Sequence, residues 1–183
     1  MDRTYALRAR SLADNVLSEL FNTLRAAVMI SQGIRKNVHL IISFENEGFT
    51  IIFDSSKLKR VSPDDSSLSG VFRKIFAAAK VGKKTPHWGV TLRYQGFFQV
   101  LKDYSADVKT FYESKNSVDI RKLVIRGKPR RFIFAVFLQS EWCNEEKEYL
   151  VQLGFKPLRP SRKLIKPSQL ITLVNNELDQ RGF

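Results

Sequence analysis

The residues able to do covalent chemistry are few. One cysteine, Cys143, and two histidines, His39 and His87, stand far apart, with no CxxC or HxxxH spacing to group them. A structural zinc site lacks its ligands, an internal disulfide lacks its second sulfur, and Cys143 reads as a filler residue near a loop. The carboxylates of "CNEEKE" read as the first turn of a helix, where acids complement the positive end of the dipole, rather than as an acid–base pair. No GxGxxG follows a strand, and neither GxxxxGK[ST] nor GxSxG occurs. That argues against standard dinucleotide, phosphate-loop and serine-hydrolase sites.

What remains is charge. The 183 residues carry 31 Lys and Arg against 18 Asp and Glu, a net +13 that attracts polyanions, nucleic acid first among them. The excess is uneven: 12 basic and 4 acidic residues fall between Arg121 and Lys166. A solvated basic face would be scattered more evenly. The most concentrated stretch, "RPSRKLIK", runs straight into "PSQLITLVNNELDQRGF", whose Leu170, Ile171, Val174 and Leu178 fall on one helical face. Two readings follow: a helix that only covers a core, or a basic loop and helix start that together form a binding site.

The elements that would position these residues can be read along the chain. Leu17, Leu20, Phe21, Leu24 and Val28 predict a helix stopped by Gly33. "VHLIISF" and "FTIIFD", divided by "ENEG", predict a hairpin. "SPDDSSL" predicts a helix start with Ser62 as N-cap and Pro63 in the first helical position, and Leu68, Val71, Phe72, Ile75 and Phe76 form its stripe. "GVTLRY" reads as a strand, "GFFQVLKDY" as a short helix, and "VKTFYE" and "IRKLVI" as possible strands. "FIFAVFL" is too short for the roughly 20 residues a bilayer span needs and reads as a strand covered on both faces. The helix "EEKEYLVQLG", the brief strand "FKPLR" and the final helix complete an alternation that predicts an α/β sheet domain. No apolar secretory core follows the charges of "MDRTYALRAR", so a cytoplasmic protein is expected, with no membrane and no metal. In such sheets ligands bind beyond the carboxyl ends of the strands, which would put "FLQSEWCN" and "LRPSRKLIKPSQ" on one edge.

"SQGIRKNVHLIISF", "LKRVSPDDSSLSGVFRKIF" and above all "LITLVNNELDQR" resemble the archaeal tRNA pseudouridine N1-methyltransferases, members of the SPOUT superfamily. The likeness covers nearly the whole chain in the same order and is weakest from Tyr94 to Lys128. It implies one SPOUT-type parallel-sheet domain over residues 1–183, a C-terminal trefoil knot, bound S-adenosylmethionine and a homodimer completing an RNA site. The cofactor residues it implies are Leu138, Gln139, Ser140, Leu158, Ser161, Leu164, Ser168 and Leu170. Arg35, Lys36, Lys59, Arg60 and Arg10 would grip RNA phosphates. Asn37 stands where the family has the acid that handles the target base, and an amide can hydrogen-bond that base but cannot act as a base itself. Other departures are Gln139, Ser140 and Glu141 in place of a Gly-Asp-His-like turn, Ser161 in place of glycine and Leu170 in place of cysteine.

The activity implied is N1-methylation of pseudouridine by S-adenosylmethionine, at position 54 of the tRNA T-loop. Two alternatives stay open: the same reaction on small-subunit ribosomal RNA, and a degenerate knot that binds RNA without catalysis. Because the target base is stacked in a folded RNA it would be flipped out. Trp88 or Phe97 could stack beside it, although core packing is the simpler expectation for both.

Overall fold

The computed structural model describes residues 1–13, 16–31, 33–161, 163 and 165–183. In chain order the elements begin with β1 (Asp2–Ala9), α1 (Leu17–Val28), a small hairpin of β2 (Met29–Ile30) and β3 (Gly33–Ile34), β4 (Val38–Phe44), β5 (Phe49–Asp54), α2 (Asp65–Lys80) and β6 (Val90–Arg93). They continue with α3 (Phe97–Lys102), β7 (Val108–Tyr112), β8 (Val118–Asp119), β9 (Arg131–Phe137), α4 (Asn144–Gln152), β10 (Lys156–Arg159) and α5 (Pro167–Gln180). Eight strands form one sheet in the order β6-β5-β4-β1-β9-β7-β10-β8. Its pairings are parallel except those that β5 makes with β4 and β6.

Alternation along the central strands builds two cores. Tyr5 and Leu7 of β1, Leu40 and Ile42 of β4, and Phe132, Phe134 and Val136 of β9 face one side, where α1, α2 and α5 supply Leu20, Leu24, Phe72, Ile75, Ile171 and Val174. Ala6, Ile41, Ile133 and Ala135 face the other, against Phe97, Val100 and Leu101 of α3, Leu150 of α4 and Trp142. Each large apolar side chain removed from water in this way contributes about 1.5–3 kcal/mol, so β1, β4 and β9 form the mechanical centre of the molecule.

The opening strand carries two arginines into that centre. Arg3 and Arg8 are both buried, and a buried cation persists only when it is paired. Arg3 donates to Asn175 Oδ1 (2.6 Å), Asp179 Oδ1 (2.6 Å) and the Phe183 carbonyl (2.6 Å), all on α5 or just after it. Asn175 also accepts from the Tyr5 hydroxyl (2.7 Å) and donates to the Ala26 carbonyl of α1 (2.8 Å). One amide of the stretch "LITLVNNELDQR" thereby joins β1, α1 and α5.

Several elements differ from the sequence expectation. α1 ends at Val28, before Gly33, because Met29 turns extended (ψ 142°) and opens the hairpin. The N-cap of α2 is Asp64, not Ser62: Asp64 Oδ1 accepts from the Ser67 amide at 2.8 Å, and the Ser62 hydroxyl donates to Asp64 Oδ2. "IRKLVI" holds no strand; Ile120–Lys122 is a 3-10 turn whose carbonyl at Ile120 accepts from Arg181, as does that of Leu123. Phe97 belongs to the core, whereas Trp88 does not and is 54% exposed.

Candidate functional site

The chain leaves β1, β9 and β10 at the same edge of the sheet and meets the start of α5 there. Between these segments lies a cavity of about 880 Å³, lined by Ala13, Val16, Glu19, Phe137, Leu138, Gln139, Glu141, Ile165, Lys166, Pro167, Gln169 and Leu170. Among the described residues its walls are mainly apolar, with two carboxylates and one ammonium. The loop after β9 and the loop before α5 therefore line a common pocket, as their place at the carboxyl ends of parallel strands requires.

Glu19 projects from α1 to the start of α5. Its Oε1 accepts the Ser168 backbone amide at 2.8 Å, so the glutamate caps a helix distant in sequence by satisfying one of its unpaired N–H groups and placing negative charge at its positive end. Glu19 is only 9% exposed. Its second oxygen, Oε2, is buried with no hydrogen-bond partner among the described residues. Lys166 and Gln169 complete the helix start: the Lys166 amide donates to Gln169 Oε1 at 3.0 Å.

The loop after β9 is fixed by β1. The Leu138 amide donates to the Arg8 carbonyl (2.8 Å), and Arg8 Nη2 donates to the carbonyls of Ser140 (3.1 Å) and Glu141 (3.2 Å). Arg8 also pairs with Glu146 of α4 and lies 4.8 Å from the centre of the Trp142 ring. Burial lowers its pKa, while the charge of Glu45 works against that shift. Gln139 adds a second clamp: its Oε1 accepts the amides of Arg10 (2.7 Å) and Ser11 (2.9 Å), and its Nε2 donates to the Ser11 carbonyl (3.0 Å). The turn that departs from the Gly-Asp-His-like pattern is thus tied down by side chains.

The residues expected from the sequence divide into groups. Leu138, Gln139 and Leu170 line the cavity. Ser140 and Ser168 border it, with their backbone groups held by Arg8 and Glu19. Leu158 is fully buried in the core beneath α5, and Ser161 spends its hydroxyl on the Lys163 amide (3.1 Å); neither lines the cavity. Leu164 lies outside the described residues. Glu19, Glu141, Lys166 and Gln169 are the polar lining residues that sequence reasoning missed. A single glutamate in an amphipathic helix reads as a solvent-facing residue until α5 is packed against it.

The residues expected to handle RNA are split between the two ends of the sheet. Arg10 is exposed beside the cavity. Asn37 lies at the opposite edge, where its Nδ2 donates to the Met1 carbonyl (2.5 Å) and its carbonyl accepts the Arg3 amide (2.8 Å). The structure does not bring Asn37 to the cavity of its own chain. Lys36, Lys59 and Arg60 are exposed on that far edge as well. Arg35 is engaged rather than free, because its Nη1 and Nη2 donate to the two Asp179 oxygens at 2.8 Å each. Burial raises the Asp179 carboxyl, but the hydrogen bonds and charges of Arg35 and Arg3 prevail and hold it below the usual carboxylate range.

With this geometry in place, the similarity to known proteins is specific. The sequence model of a family described as "Putative SAM-dependent RNA methyltransferase" matches residues 15–183. The chain belongs to that family. Among the relatives of this RNA methyltransferase family member is a "Putative pseudouridine methyltransferase" of Alcanivorax borkumensis, 28% identical over 99% of this chain and 100% of that one. Another is the tRNA (pseudouridine(54)-N(1))-methyltransferase of Haloferax volcanii, 27% identical over 91% of this chain and 84% of that one. The crystal structure of Archaeoglobus fulgidus Nep1 bound to S-adenosylhomocysteine superposes with a TM-score of 0.60 at 10% identity, covering 95% of this chain and 74% of that one. That likeness establishes the SPOUT-type α/β fold.

S-Adenosylmethionine is the cofactor this family implies, and the cavity fits it. The ligand combines a flat apolar base with two positive centres and a carboxylate. The apolar wall of Val16, Phe137, Leu138 and Leu170 suits the first, Glu19 and Glu141 the second, and Lys166 the third. Glu19 also leaves negative charge beside the cavity, because its Oε2 is buried without a hydrogen-bond partner among the described residues. Among the described residues no group of His, Cys, Asp and Glu could hold a metal ion, and no helix is long and apolar enough to cross a membrane.

Proposed function

We propose that this protein methylates N1 of pseudouridine in tRNA, at position 54 of the T-loop, with S-adenosylmethionine held between the loop after β9 and the start of α5. The observation that carries the reading is the cavity at that junction, with Glu19 among the residues that line it. The relatives named as pseudouridine methyltransferases supply the base and its position. The whole chain acts as one catalytic domain.

The cofactor brings a methyl group already activated on a sulfonium, so the protein's task is alignment rather than bond polarisation. Phe137, Leu138 and Leu170 exclude water from the cavity floor. Glu19 holds positive charge there and caps α5 at once, so binding and helix position are coupled. Arg8 and Gln139 keep the loop after β9 in one conformation, which reduces the ordering cost of binding. Asn37 carries no proton in this scheme, since its amide holds the start of β1.

Two further features belong to the proposal. The protein acts as a homodimer, because Lys36, Asn37, Lys59 and Arg60 sit at the edge remote from their own cavity and can serve a neighbour's. α5 is threaded through a loop of the chain as a trefoil knot, which its burial on Pro167, Ser168, Leu170, Ile171, Val174, Asn175 and Leu178 supports. The test is calorimetric titration with S-adenosylmethionine, followed by mass spectrometry of T-loop nucleosides from a pseudouridylated tRNA incubated with the enzyme. Binding without methylation of tRNA or ribosomal RNA would leave an RNA-binding protein instead.

A further inference from the structure

The far edge of the sheet carries a feature that the cofactor cavity does not explain. Trp88 is 54% exposed, whereas the second tryptophan, Trp142, is 4% exposed. The Lys59 ammonium lies 5.3 Å and the Arg60 guanidinium 5.1 Å from the centre of the Trp88 ring. Beside the ring a groove of about 510 Å³ opens between α2 and the segment before β6, with Ser66, Ser67 and Lys74 on one wall and Thr85 and His87 on the other.

This arrangement is held in place by the backbone. A ring nitrogen of His87 hydrogen-bonds the Lys59 carbonyl at 2.8 Å, joining the two segments. Gly89 has φ +74°, and a Cβ there would stand 2.6 Å from the Leu58 nitrogen, so only glycine allows the two segments to close. Arg60 itself adopts φ +55°, a conformation that costs a non-glycine residue free energy and that persists where surrounding contacts enforce it. The nearby acids are occupied: Asp64 caps α2, and Asp65 pairs with Arg25. Among the described residues neither Lys59 nor Arg60 forms an ion pair.

We infer that Trp88 is a stacking platform for an unpaired nucleotide of RNA, its base lying against the indole or the Arg60 plane and its flanking phosphates on Lys59, Arg60 and Lys74. A π face bordered by cations matches a base bordered by phosphates, and such stacking tolerates any base. The site is separate from the cofactor cavity. Val90 is level with Phe53, Leu40, Tyr5 and Phe134 through successive strand pairings. Trp88 is thus four strands from β9 and sits in the turn that precedes Val90, whereas Leu138 lies four residues beyond Phe134, about 13 Å further along the strands at about 3.3 Å per residue. The platform grips RNA at a distance from the cavity of the same chain. The inference rests on the proposed RNA substrate but not on methyl transfer.

The test uses the whole protein with a short oligouridine as probe. Trp88 emission should be quenched on titration, the change should vanish in Trp88→Phe, and the midpoint should move to higher RNA concentration as salt rises. By anisotropy of the labelled oligonucleotide, Trp88→Ala should bind about tenfold more weakly and Trp88→Phe should keep most of the affinity, as loss of one stacked base predicts. Heat of S-adenosylmethionine binding, unchanged in both variants, controls for folding. Unaltered oligouridine affinity in Trp88→Ala with cofactor binding intact overturns the platform, and so does quenching that follows protein concentration without RNA, which would mean a second copy covers the ring. If the protein bound no cofactor but oligouridine still quenched Trp88, the methyltransferase reading would fall and the platform would stand.

Discussion

Glu19 Oε1 and the Ser168 amide, 2.8 Å apart, join α1 to the first turn of α5 across almost the whole sequence. The same residue lines the cavity between the loop after β9 and the start of α5, and its other oxygen is buried without a hydrogen-bond partner among the described residues. Glu19→Gln keeps an acceptor for Ser168 and removes the charge, so thermal stability should change little while S-adenosylmethionine affinity falls by roughly tenfold, the effect of losing one charge-assisted contact. Glu19→Ala should also lose about 1 kcal/mol of stability through the missing helix cap. Calorimetry and urea unfolding measure the two effects separately, and equal cofactor affinity in Glu19→Gln would remove Glu19 from the site.

Arg8 offers a test of how the loop is held. Arg8→Met keeps the length of the side chain but leaves Glu146, Ser140 and Glu141 without their partner. Losing one half of a buried pair typically costs about 3–5 kcal/mol; Glu146 is partly exposed, so roughly 2 kcal/mol is expected after solvent screening. Cofactor affinity should fall as well. Chemical denaturation gives the first quantity and calorimetry the second.

Asp179 makes stability depend on pH. Its carboxyl is held below the ordinary value of 3.8 in the folded protein, so the stabilisation from Arg3 and Arg35 is complete above the unfolded pKa and is lost as pH falls through the folded one. Asp179→Asn should therefore be less stable at neutral pH, and its deficit relative to the parent should shrink below about pH 4. Parallel urea melts across the acid range would reveal it. A deficit that stayed constant with pH would place the contribution of Asp179 in packing rather than charge.

Truncation after Lys166 tests the threading of α5. That removal takes Ile171, Val174 and Leu178 from the core and leaves Arg3 and Tyr5 buried without Asn175. The shortened protein should show no cooperative melt by circular dichroism. A soluble truncation with a sharp transition would mean that α5 is only a cover.

Local signals made part of this legible in the sequence. The runs "VHLIISF" and "FTIIFD" match β4 and β5 residue for residue, because a β-branched run interrupted by Gly48 at φ +68° leaves little choice of register. The buried face of α5 was equally clear from its periodicity. Long-range pairing hid the rest. Arg3 and Arg8 disguised the central strand as a charged start, because their partners Asp179 and Glu146 are far away in sequence. "IRKLVI" looked like a strand by composition, but only Val118 and Asp119 before it pair with β10. In the α2 start both serine and aspartate are good caps, and only the geometry selects Asp64. At the site, Leu138, Gln139 and Leu170 were implied by the family resemblance, whereas Glu19 required knowledge of what packs on α1.

The bond between Arg3 and Asn175 spans 172 positions of the chain. During synthesis the first strand emerges with a guanidinium and a phenol whose acceptors have yet to be translated. Closure of large loops dominates such a folding reaction and slows it, so the native arrangement forms only once α5 has been synthesised, and until then the half-built sheet exposes unpaired surfaces that favour aggregation.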